Sequence, residues 1–349
     1  MLCGWDGAQE RMPDKGRFEK LTGIDPTRPG KRSAAIEIPV RGKPPIRLPV
    51  TVVRRGAGPT VLFTGGNHGD EFEGPTALLK LGRELEPAHL ARGGVIIMPT
   101  INPPATAART RTSPLDGRNL NRVFPGKPRG TPTERIAHAI TAAVLPHAVA
   151  LLDLHAGGVA SAMMPSIMVH RFADPARMRA TLAMMRAFRA PMGIVIKEYD
   201  TAGMIDTTAE RMGLLFGCCE LGGMGATTPE TIAVTETGIR NVLKHFGIMR
   251  GRLETARWQG RRSSGESEAP DYRHYVKAAA AGIFEPFVEI GGRVRAGAAV
   301  GQIHAFDRPA APPRVQRARV SGILYARHAF GLIKQGNIVA IVARETRRW

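Results

Sequence analysis

The chain has 349 residues, 43% hydrophobic and 23% charged, which excludes a wholly disordered chain and suggests two domains, or one large domain with an appendage. Its net charge of +19 would suit a polyanion, but the arginines are spread along the chain and only 5% of residues are aromatic, so we expect no specific nucleic-acid partner. The absence of a long apolar run, of a secretion-signal pattern and of cysteines for a disulfide framework predicts a cytoplasmic protein with no membrane partner.

Residues 1–33 show no sustained period and are predicted to be an N-terminal tail. Two β-rich runs that meet at residues 42–45 predict a hairpin, and apolar strands then alternate with helices up to residue 251. The predicted strands are 34–40, 46–53, 60–64, 94–99, 149–154, 193–196 and 214–219, and the predicted helices are 71–85, 133–145, 174–190 and 228–246. This alternation predicts an α/β fold, with a mixed, mostly parallel sheet and helices on both faces.

The composition of the chain changes after residue 251. Residues 252–274 are polar and arginine-rich, which predicts a linker or exposed loop. Residues 275–349 show short β-like runs broken by glycines, which predicts a small all-β domain. Segment 291–297 makes this domain similar to biotinyl and lipoyl carrier folds, but residues 325–331 lack the lysine that such carriers load. We therefore expect it to cover an active site or to form subunit contacts.

Two histidines follow apolar strands and are flanked by glycines. His68 and Glu71 lie in the segment Thr-Gly-Gly-Asn-His-Gly-Asp-Glu, between a strand and a helix, and His155 ends another strand. Either histidine alone would more often be a core or turn residue, but open α/β sheets bind ligands where their strands end. Two histidines and one carboxylate form a typical catalytic zinc set that leaves one position for water. Asp153 could orient an imidazole or cap the neighbouring turn.

A third strand runs into glycines at Glu220, which predicts a proton acceptor for the attacking water. A partly apolar setting would raise the pKa of this carboxylate toward neutrality. The alternative is a structural carboxylate that caps the following turn. Cys218 and Cys219 are interpreted as core residues of the strand, because adjacent cysteines do not have the spacing of a metal-binding pair.

Residues 109–126 are dense in arginine and asparagine, which predicts a site for anions. Arginine binds carboxylates through two parallel hydrogen bonds, and a fixed cation stabilises a developing oxyanion. A solvated basic loop is a fair alternative interpretation of Arg109 and Arg118. It explains Asn121 and Arg122 poorly, because these two residues lie between apolar neighbours.

Four of these segments occur in the order found in the succinylglutamate desuccinylase/aspartoacylase family, a branch of the zinc carboxypeptidase superfamily. The segments that carry this resemblance are 66–71, 119–126, 153–155 and 220–223. The resemblance extends over about residues 34–249, and the all-β region is similar to the C-terminal domain of that family. It implies that residues 34–251 are a zinc hydrolase catalytic domain. One zinc ion per chain would be bound by His68, Glu71 and His155.

The resemblance also implies roles for the other polar residues. Glu220 would act as general base and then as general acid. Asn121 and Arg122 would bind the α-carboxylate of the substrate, and Asn119 and Arg118 are further candidates for substrate binding. Arg111 resembles the arginine that stabilises the oxyanion. Arg109 or Arg118 could serve instead, since the stretch after Arg111 is longer here than in aspartoacylases.

Within the family, residues 111–122 resemble those of deacetylases that act on Nα-acetyl-L-2,4-diaminobutyrate. Such a substrate carries a side-chain ammonium, for which Asp200 and Asp206 are candidate partners by charge alone; turn formation or helix capping would explain them equally well. The predicted function is hydrolysis of the linear amide of a small N-acyl amino acid, by a monomer or a homo-oligomer. A carboxypeptidase for short peptides is the main alternative, and a non-catalytic polyanion-binding protein is a weaker one.

Overall fold

The structure, a computed structural model, describes residues 16–197, 202–260, 265–268 and 271–346. Its helices are α1 (Gly16–Thr22), α2 (Glu73–Glu84), α3 (Pro103–Ala108), α4 (Pro132–Ala139), α5 (Pro175–Phe188), α6 (Ile205–Arg211) and α7 (Pro229–His245). Among the described residues, no helix is long and apolar enough to cross a membrane.

The strands divide between the first 260 residues and the C-terminal part. The strands in the first part are β1 (Gly30–Val40), β2 (Lys43–Arg54), β3 (Thr60–Gly65), β4 (Gly94–Met98), β5 (Ala150–His155), β6 (Ser161–Met163), β7 (Ser166–His170), β8 (Met192–Ile196) and β9 (Leu215–Glu220). The later strands are β10 (Gly265–Glu268), β11 (Tyr275–Lys277), β12 (Gly282–Pro286), β13 (Arg293–Val294), β14 (Ala299–His304), β15 (Arg314–Arg317), β16 (Gly322–His328), β17 (Leu332–Ile333), β18 (Ile338–Ala343) and β19 (Glu345–Thr346).

Ten strands form one mixed sheet in the order β1-β2-β4-β3-β5-β9-β7-β8-β10-β19. Its centre is parallel: β3 lies between β4 and β5, and β9 pairs with the other edge of β5. β2 and β7 flank this centre as antiparallel neighbours of β4 and β9. β3 and β5 are buried along their whole length, since helices cover both faces. The predicted fold class is confirmed.

Each face of the sheet has its own apolar core. On one face, β3 contributes Phe63 to a buried cluster with α2, α5 and α7. On the other face, the adjacent Leu62 belongs to a cluster with α1, α4 and α6. Successive side chains of a strand point to opposite faces, so a continuous apolar strand supplies both cores. The central strands are therefore firmly held, and the residues at their carboxyl ends lie together at one edge of the sheet.

Several predicted elements have different limits in the structure. The helix predicted at 71–85 begins at Glu73, because the preceding residues form the loop after β3. The helix predicted at 133–145 is α-helical only as far as Ala139, and Ile140–Val144 form a π-helical turn. The prediction missed α3, α6, β6 and β7. These elements are seven residues or shorter, too short to show a hydrophobic period.

The structure corrects the N-terminal tail predicted for residues 1–33. Residues 1–15 lie outside the described part of the chain, but α1 is a helix whose Phe18 is fully buried in the second core. Its ring meets the ring of His147 edge-on, with centroids 5.3 Å apart. From Gly30 onward the chain belongs to β1, which pairs with β2. A helix of this length with one buried aromatic residue leaves no periodic signal in the sequence.

The linker predicted at residues 252–274 also needs correction. β10 lies within it and extends the main sheet, parallel to β8. β19, near the end of the chain, pairs antiparallel with β10. The sequence of β10, Gly-Glu-Ser-Glu, has low β-propensity, so its pairing partners rather than its own residues make it a strand.

The C-terminal β module, defined here as residues 275–346, has two sheets around its own core. Their orders are β11-β18-β16-β13 and β15-β14-β12-β17, which confirms the predicted all-β region. β6 from the first part of the chain pairs with β16 of the module, while β19 returns to the main sheet. Because strands are exchanged in both directions, the domain limits at 34–251 and 275–349 remain predictions.

Candidate active site

The loop between β3 and α2 is held by close backbone packing. Gly66 has a φ of +61°, a conformation that favours glycine. A Cβ on Gly69 would lie 2.0 Å from the carbonyl carbon and oxygen of Ala105 in α3, so a larger residue does not fit. The amide of Gly69 donates to the carbonyl of Thr110 at 2.9 Å. These contacts fix the segment that carries His68, whose side chain is buried.

Three predicted site residues meet at the carboxyl ends of β3 and β5. Nδ1 of His68 lies 2.8 Å from Oε1 of Glu71, and Nδ1 of His155 lies 2.8 Å from Oε2 of the same carboxylate. The centroids of the two imidazole rings are 4.9 Å apart. All three side chains are buried, and one ligand atom from each lies within 4.8 Å of the others. Two imidazoles and a carboxylate thus form a group that could bind a metal ion.

Asp153 contacts His155 on the side away from Glu71. Its Oδ2 lies 2.7 Å from Nε2 of His155 and accepts a hydrogen bond from Asn67 Nδ2 at 2.9 Å. Its Oδ1 accepts from the hydroxyl of Thr64 at 2.7 Å. A carboxylate that binds the outer nitrogen of a metal-binding imidazole fixes the tautomer and the orientation of the ring. Of the two roles considered for Asp153, this geometry fits the orienting one.

The charges of the cluster favour a cation. Burial would raise the pKa of Glu71, but the two histidines lower it to about 2. Burial would lower the pKa of His155, but the carboxylates of Asp153 and Glu71 raise it well above its usual value. Nε2 of His68 is buried and has no hydrogen-bond partner among the described residues. The donor set and this demand for positive charge fit a divalent cation with nitrogen and oxygen ligands.

Glu220 lies beside this cluster, at the end of β9. It is the register partner of His155 on β5 and of Ser166 on β7. Burial raises the pKa of Glu220 to about 8, and the charge of Glu71 contributes. Its Oε2 is buried and accepts no hydrogen bond from any described residue. Such a carboxylate is suited to accept and return a proton near neutral pH.

Of the three arginines considered for the oxyanion, Arg111 contacts the cluster. Its Nη1 lies 3.4 Å from Oε1 of Glu71, and 54% of its side chain is exposed. Arg109 ends α3 with a left-handed φ of 55° and is exposed. Arg118 is exposed in a turn, where its backbone amide donates to Oδ1 of Asp116 at 3.2 Å. The contact with Glu71 favours Arg111.

The substrate-binding candidates lie on one short turn. Leu120–Arg122 form a 3₁₀ turn, and Oδ1 of Asn119 caps it by accepting from the amide of Asn121 at 2.9 Å. Oδ1 of Asn121 accepts from the amide of Ile205 at 3.0 Å, which leaves its Nδ2 as a donor for an anion. Arg122 is exposed, and its Nη1 donates to the carbonyl of Asn121 at 2.7 Å.

Asp206 is buried at the start of α6, and Asp200 lies outside the described residues. Oδ2 of Asp206 lies 3.9 Å from Nε2 of His170. Burial raises the pKa of the Cys218 thiol, and the charges of Glu220 and Asp206 raise it further. Cys218 packs against the core cluster that contains residues of α6, and it points to the same face of β9 as Glu220, so α6 and Asp206 lie on the side of the sheet that carries Glu220.

Sequence reasoning missed acidic residues that hold the loops around the site. Oε1 of Glu73 accepts from the amide of Gly223 at 2.8 Å, and burial raises the pKa of Glu73 to about 7. Oδ2 of Asp70 accepts from the amide of Val159 at 3.0 Å. The density of acids in Gly-Asp-Glu-Phe-Glu was a usable signal, but only the fold shows which loop each one contacts.

The sheet and the cluster at its edge define an α/β protein of the zinc-carboxypeptidase-like class with a candidate metal site. A model of the succinylglutamate desuccinylase/aspartoacylase catalytic domain matches residues 57–246, more than half of the chain. The chain therefore belongs to the succinylglutamate desuccinylase/aspartoacylase family, which confirms the resemblance found in the sequence.

Several relatives match over most of their length. The chain is 41% identical over 298 residues to the N-alpha-acetyl-L-2,4-diaminobutyric acid deacetylase of Halomonas elongata, covering 85% of this chain and 86% of that protein. A succinylglutamate desuccinylase/aspartoacylase structure from Rhodobacter sphaeroides is 37% identical, with a TM-score of 0.87, and the match covers 93% and 98% of the two chains. The product-bound ectoine utilization protein EutE (DoeB) from Ruegeria pomeroyi is 38% identical, with a TM-score of 0.86 and the same coverage. The deacetylase relative supports an amidohydrolase acting on N-acyl amino acids.

Proposed function

We propose that the protein is a zinc-dependent deacylase that hydrolyses the amide of Nα-acetyl-L-2,4-diaminobutyrate. The observation that carries this proposal is the convergence of His68, Glu71 and His155 at one edge of the sheet, next to Glu220. The identity with a deacetylase for this acetylated amino acid, over 85% of the chain, supports the choice of substrate.

His68, Glu71 and His155 would hold the zinc ion, and Asp153 would orient His155 from behind. When bound, zinc polarises an amide carbonyl and makes water a better nucleophile at neutral pH. One carboxylate and two neutral imidazoles leave net positive charge at the ion, which suits this chemistry.

Glu220 accepts a proton from the water that adds to the acyl carbon, which turns the carbonyl oxygen into an oxyanion. Glu220 then delivers the proton to the amine as the C–N bond breaks, and the acyl group leaves as a carboxylate. The pKa of Glu220, raised to about 8 by burial, suits both halves of this transfer. Arg111, which reaches Glu71 from the exposed side, stabilises the oxyanion.

The amino-acid part of the substrate binds to the turn at residues 119–122. Asn121 offers its Nδ2 and Arg122 its guanidinium to the α-carboxylate, with Asn119 holding the turn and Arg118 beside it. Asp206, on the side of the sheet that carries Glu220, binds the side-chain ammonium.

The test is a panel of acetyl-, succinyl- and formyl-amino acids, together with short peptides, assayed with purified protein of known zinc content. We expect Nα-acetyl-L-2,4-diaminobutyrate to give the highest kcat/KM and the peptides to give none. A preference for peptides would show a carboxypeptidase instead. No hydrolysis of any compound by the zinc-loaded protein would reject the proposed function.

A further inference from the structure

The turn after Glu220 is bound to β6, a strand that also belongs to a sheet of the C-terminal β module. The carbonyl of Gly222 accepts from the amide of Met163 at 2.9 Å, and the amide of Met224 donates to the carbonyl of Ser161 at 3.0 Å. The other edge of β6 pairs antiparallel with β16. β6 therefore lies between this turn and the module.

A tyrosine of β16 reaches the pair of strands that carries Glu220. Oη of Tyr325 lies 2.7 Å from Oγ of Ser166, and both side chains are buried. Ser166 is the antiparallel register partner of Glu220, and the Cβ atoms of such partners lie about 4.5–5.5 Å apart on one face. Burial raises the pKa of the Tyr325 phenol, and the charge of Glu220 raises it further.

Tyr325 forms hydrogen bonds to the first part of the chain through its backbone as well as through its side chain. Its carbonyl accepts from the amide of Met164 at 2.8 Å, just before β7, while its hydroxyl contacts Ser166 at the start of β7. The neighbouring positions on β16, Leu324 and Ala326, are buried and apolar. A buried hydroxyl group costs free energy unless it forms a hydrogen bond. If this position served packing alone, phenylalanine would fill it equally well.

We propose that Tyr325 is a positioning residue for Glu220, and that the C-terminal β module acts on the reaction through it. This inference rests on the proposed function, in which Glu220 transfers the proton. Oε2 of Glu220 has no hydrogen-bond partner in the described part of the chain, so the direction of the carboxylate depends on the groups packed beside it. The hydroxyl of Ser166, fixed by Tyr325, restricts the Glu220 side chain on the side toward β7.

The decisive variant is Tyr325→Phe, which keeps the ring and removes only the hydroxyl. We expect kcat to fall by about 10-fold, with KM changed less than about 2-fold and zinc content unchanged, because an outer hydrogen-bond partner is lost. Ser166→Ala should cause a similar loss. The double variant should be no worse than either single one, because both residues act through one hydrogen bond. Tyr272→Phe, the same change at a tyrosine that is 77% exposed, is the matched control and should keep the wild-type kcat.

Three outcomes would overturn the inference. They are an unchanged kcat in Tyr325→Phe, a raised KM at unchanged kcat, which would make Tyr325 a substrate contact, and a loss of activity that follows a loss of zinc. Hydrogen exchange of residues 214–224 gives a readout that needs no substrate. Tyr325→Phe should speed exchange there several-fold, and Tyr272→Phe should not. If the wild type hydrolyses no N-acyl amino acid, the proposed function fails, and exchange alone decides whether Tyr325 fixes this segment.

Discussion

At the scale of single residues, two neighbouring carboxylates have opposite protonation behaviour. The pKa of Glu71 is lowered to about 2, since it lies between two imidazoles, although burial opposes this. The pKa of Glu220 is raised to about 8, by burial and by the charge of Glu71. A carboxylate that stays ionised is suited to bind a cation, and one that titrates near neutrality is suited to carry a proton. Environment, rather than residue type, therefore separates the two roles.

Replacing Glu220 with glutamine keeps the shape of the side chain and removes its basic oxygen. We expect Glu220→Gln to bind zinc as the wild type does and to lose about 10²–10⁴-fold in kcat, the range typical for loss of a general base. Steady-state assays combined with metal analysis measure both quantities. Glu289→Gln, at a side chain that is 82% exposed in the C-terminal β module, is the control. Full activity in Glu220→Gln would remove this residue from the proton transfer.

Asp153 should control how tightly the metal is bound. In Asp153→Asn, the side chain loses the negative charge that faces His155, and only one acceptor oxygen remains for the groups of His155, Asn67 and Thr64. We expect zinc affinity to fall by about 10- to 100-fold, measured by competition with a chelator. Asp174→Asn changes an exposed helix cap, where asparagine serves equally well, and should leave zinc affinity unchanged. Equal zinc affinity in the two variants would contradict an orienting role for Asp153.

At the scale of elements, the candidate metal site depends on how closely the loop after β3 packs against α3. Gly69→Ala would place a methyl group 2.0 Å from the carbonyl of Ala105, so the loop or α3 must move. We expect a loss of about 1–3 kcal/mol in the free energy of unfolding, together with weaker zinc binding through the adjacent His68. Thermal unfolding with and without zinc measures both effects.

The matched control is Gly82→Ala in the neighbouring helix α2, where the new Cβ would meet only Oγ1 of Thr51 at 3.7 Å. Since alanine suits a helix better than glycine, this change should stabilise the protein by about 0.5–1 kcal/mol. Destabilisation of similar size in both variants would mean that the contact with Ala105 is not the cause.

The elements that form the site were largely predictable, for a physical reason. β3 and β5 are buried on both faces and β9 is partly buried, so they appear in the sequence as apolar runs, and the polar residues that end them are conspicuous. α1 and β10 were not predictable, because their positions depend on distant partners: α1 on a pocket for Phe18, and β10 on the open edge of β8. Short polar segments gain their structure from such contacts rather than from local propensity.

At the scale of the whole molecule, the two parts of the chain are interlocked by exchanged strands. β6 leaves the first part to pair with β16, and β19 leaves the C-terminal β module to pair with β10. The sequence predicted the module as a separate all-β domain after a linker, since the composition of the chain changes abruptly after residue 251. It carried no signal that Tyr325 would reach Ser166, because that contact joins residues 159 positions apart. Contacts of this kind follow from topology, which local patterns do not encode.

We therefore expect removal of the metal to lower the stability of the whole molecule. Glu71, Asp153 and Glu220 bring three carboxylates to one edge of the sheet, and the candidate ligands come from the loop after β3 and from the end of β5. With free zinc at about 100 times its Kd, bound zinc would add about 2.7 kcal/mol to the free energy of unfolding. For a chain of this length that is a rise in Tm of about 4 °C.

Calorimetry before and after treatment with a chelator measures this shift, and added zinc should restore the original Tm. His68→Ala removes one candidate ligand from the loop after β3 without adding a charge, so the Tm of this variant should respond little to either treatment. If metal analysis shows that zinc has been removed and the wild-type Tm does not change, the ion does not join the ends of β3 and β5. A variant that still responds as the wild type does would exclude His68 as a ligand.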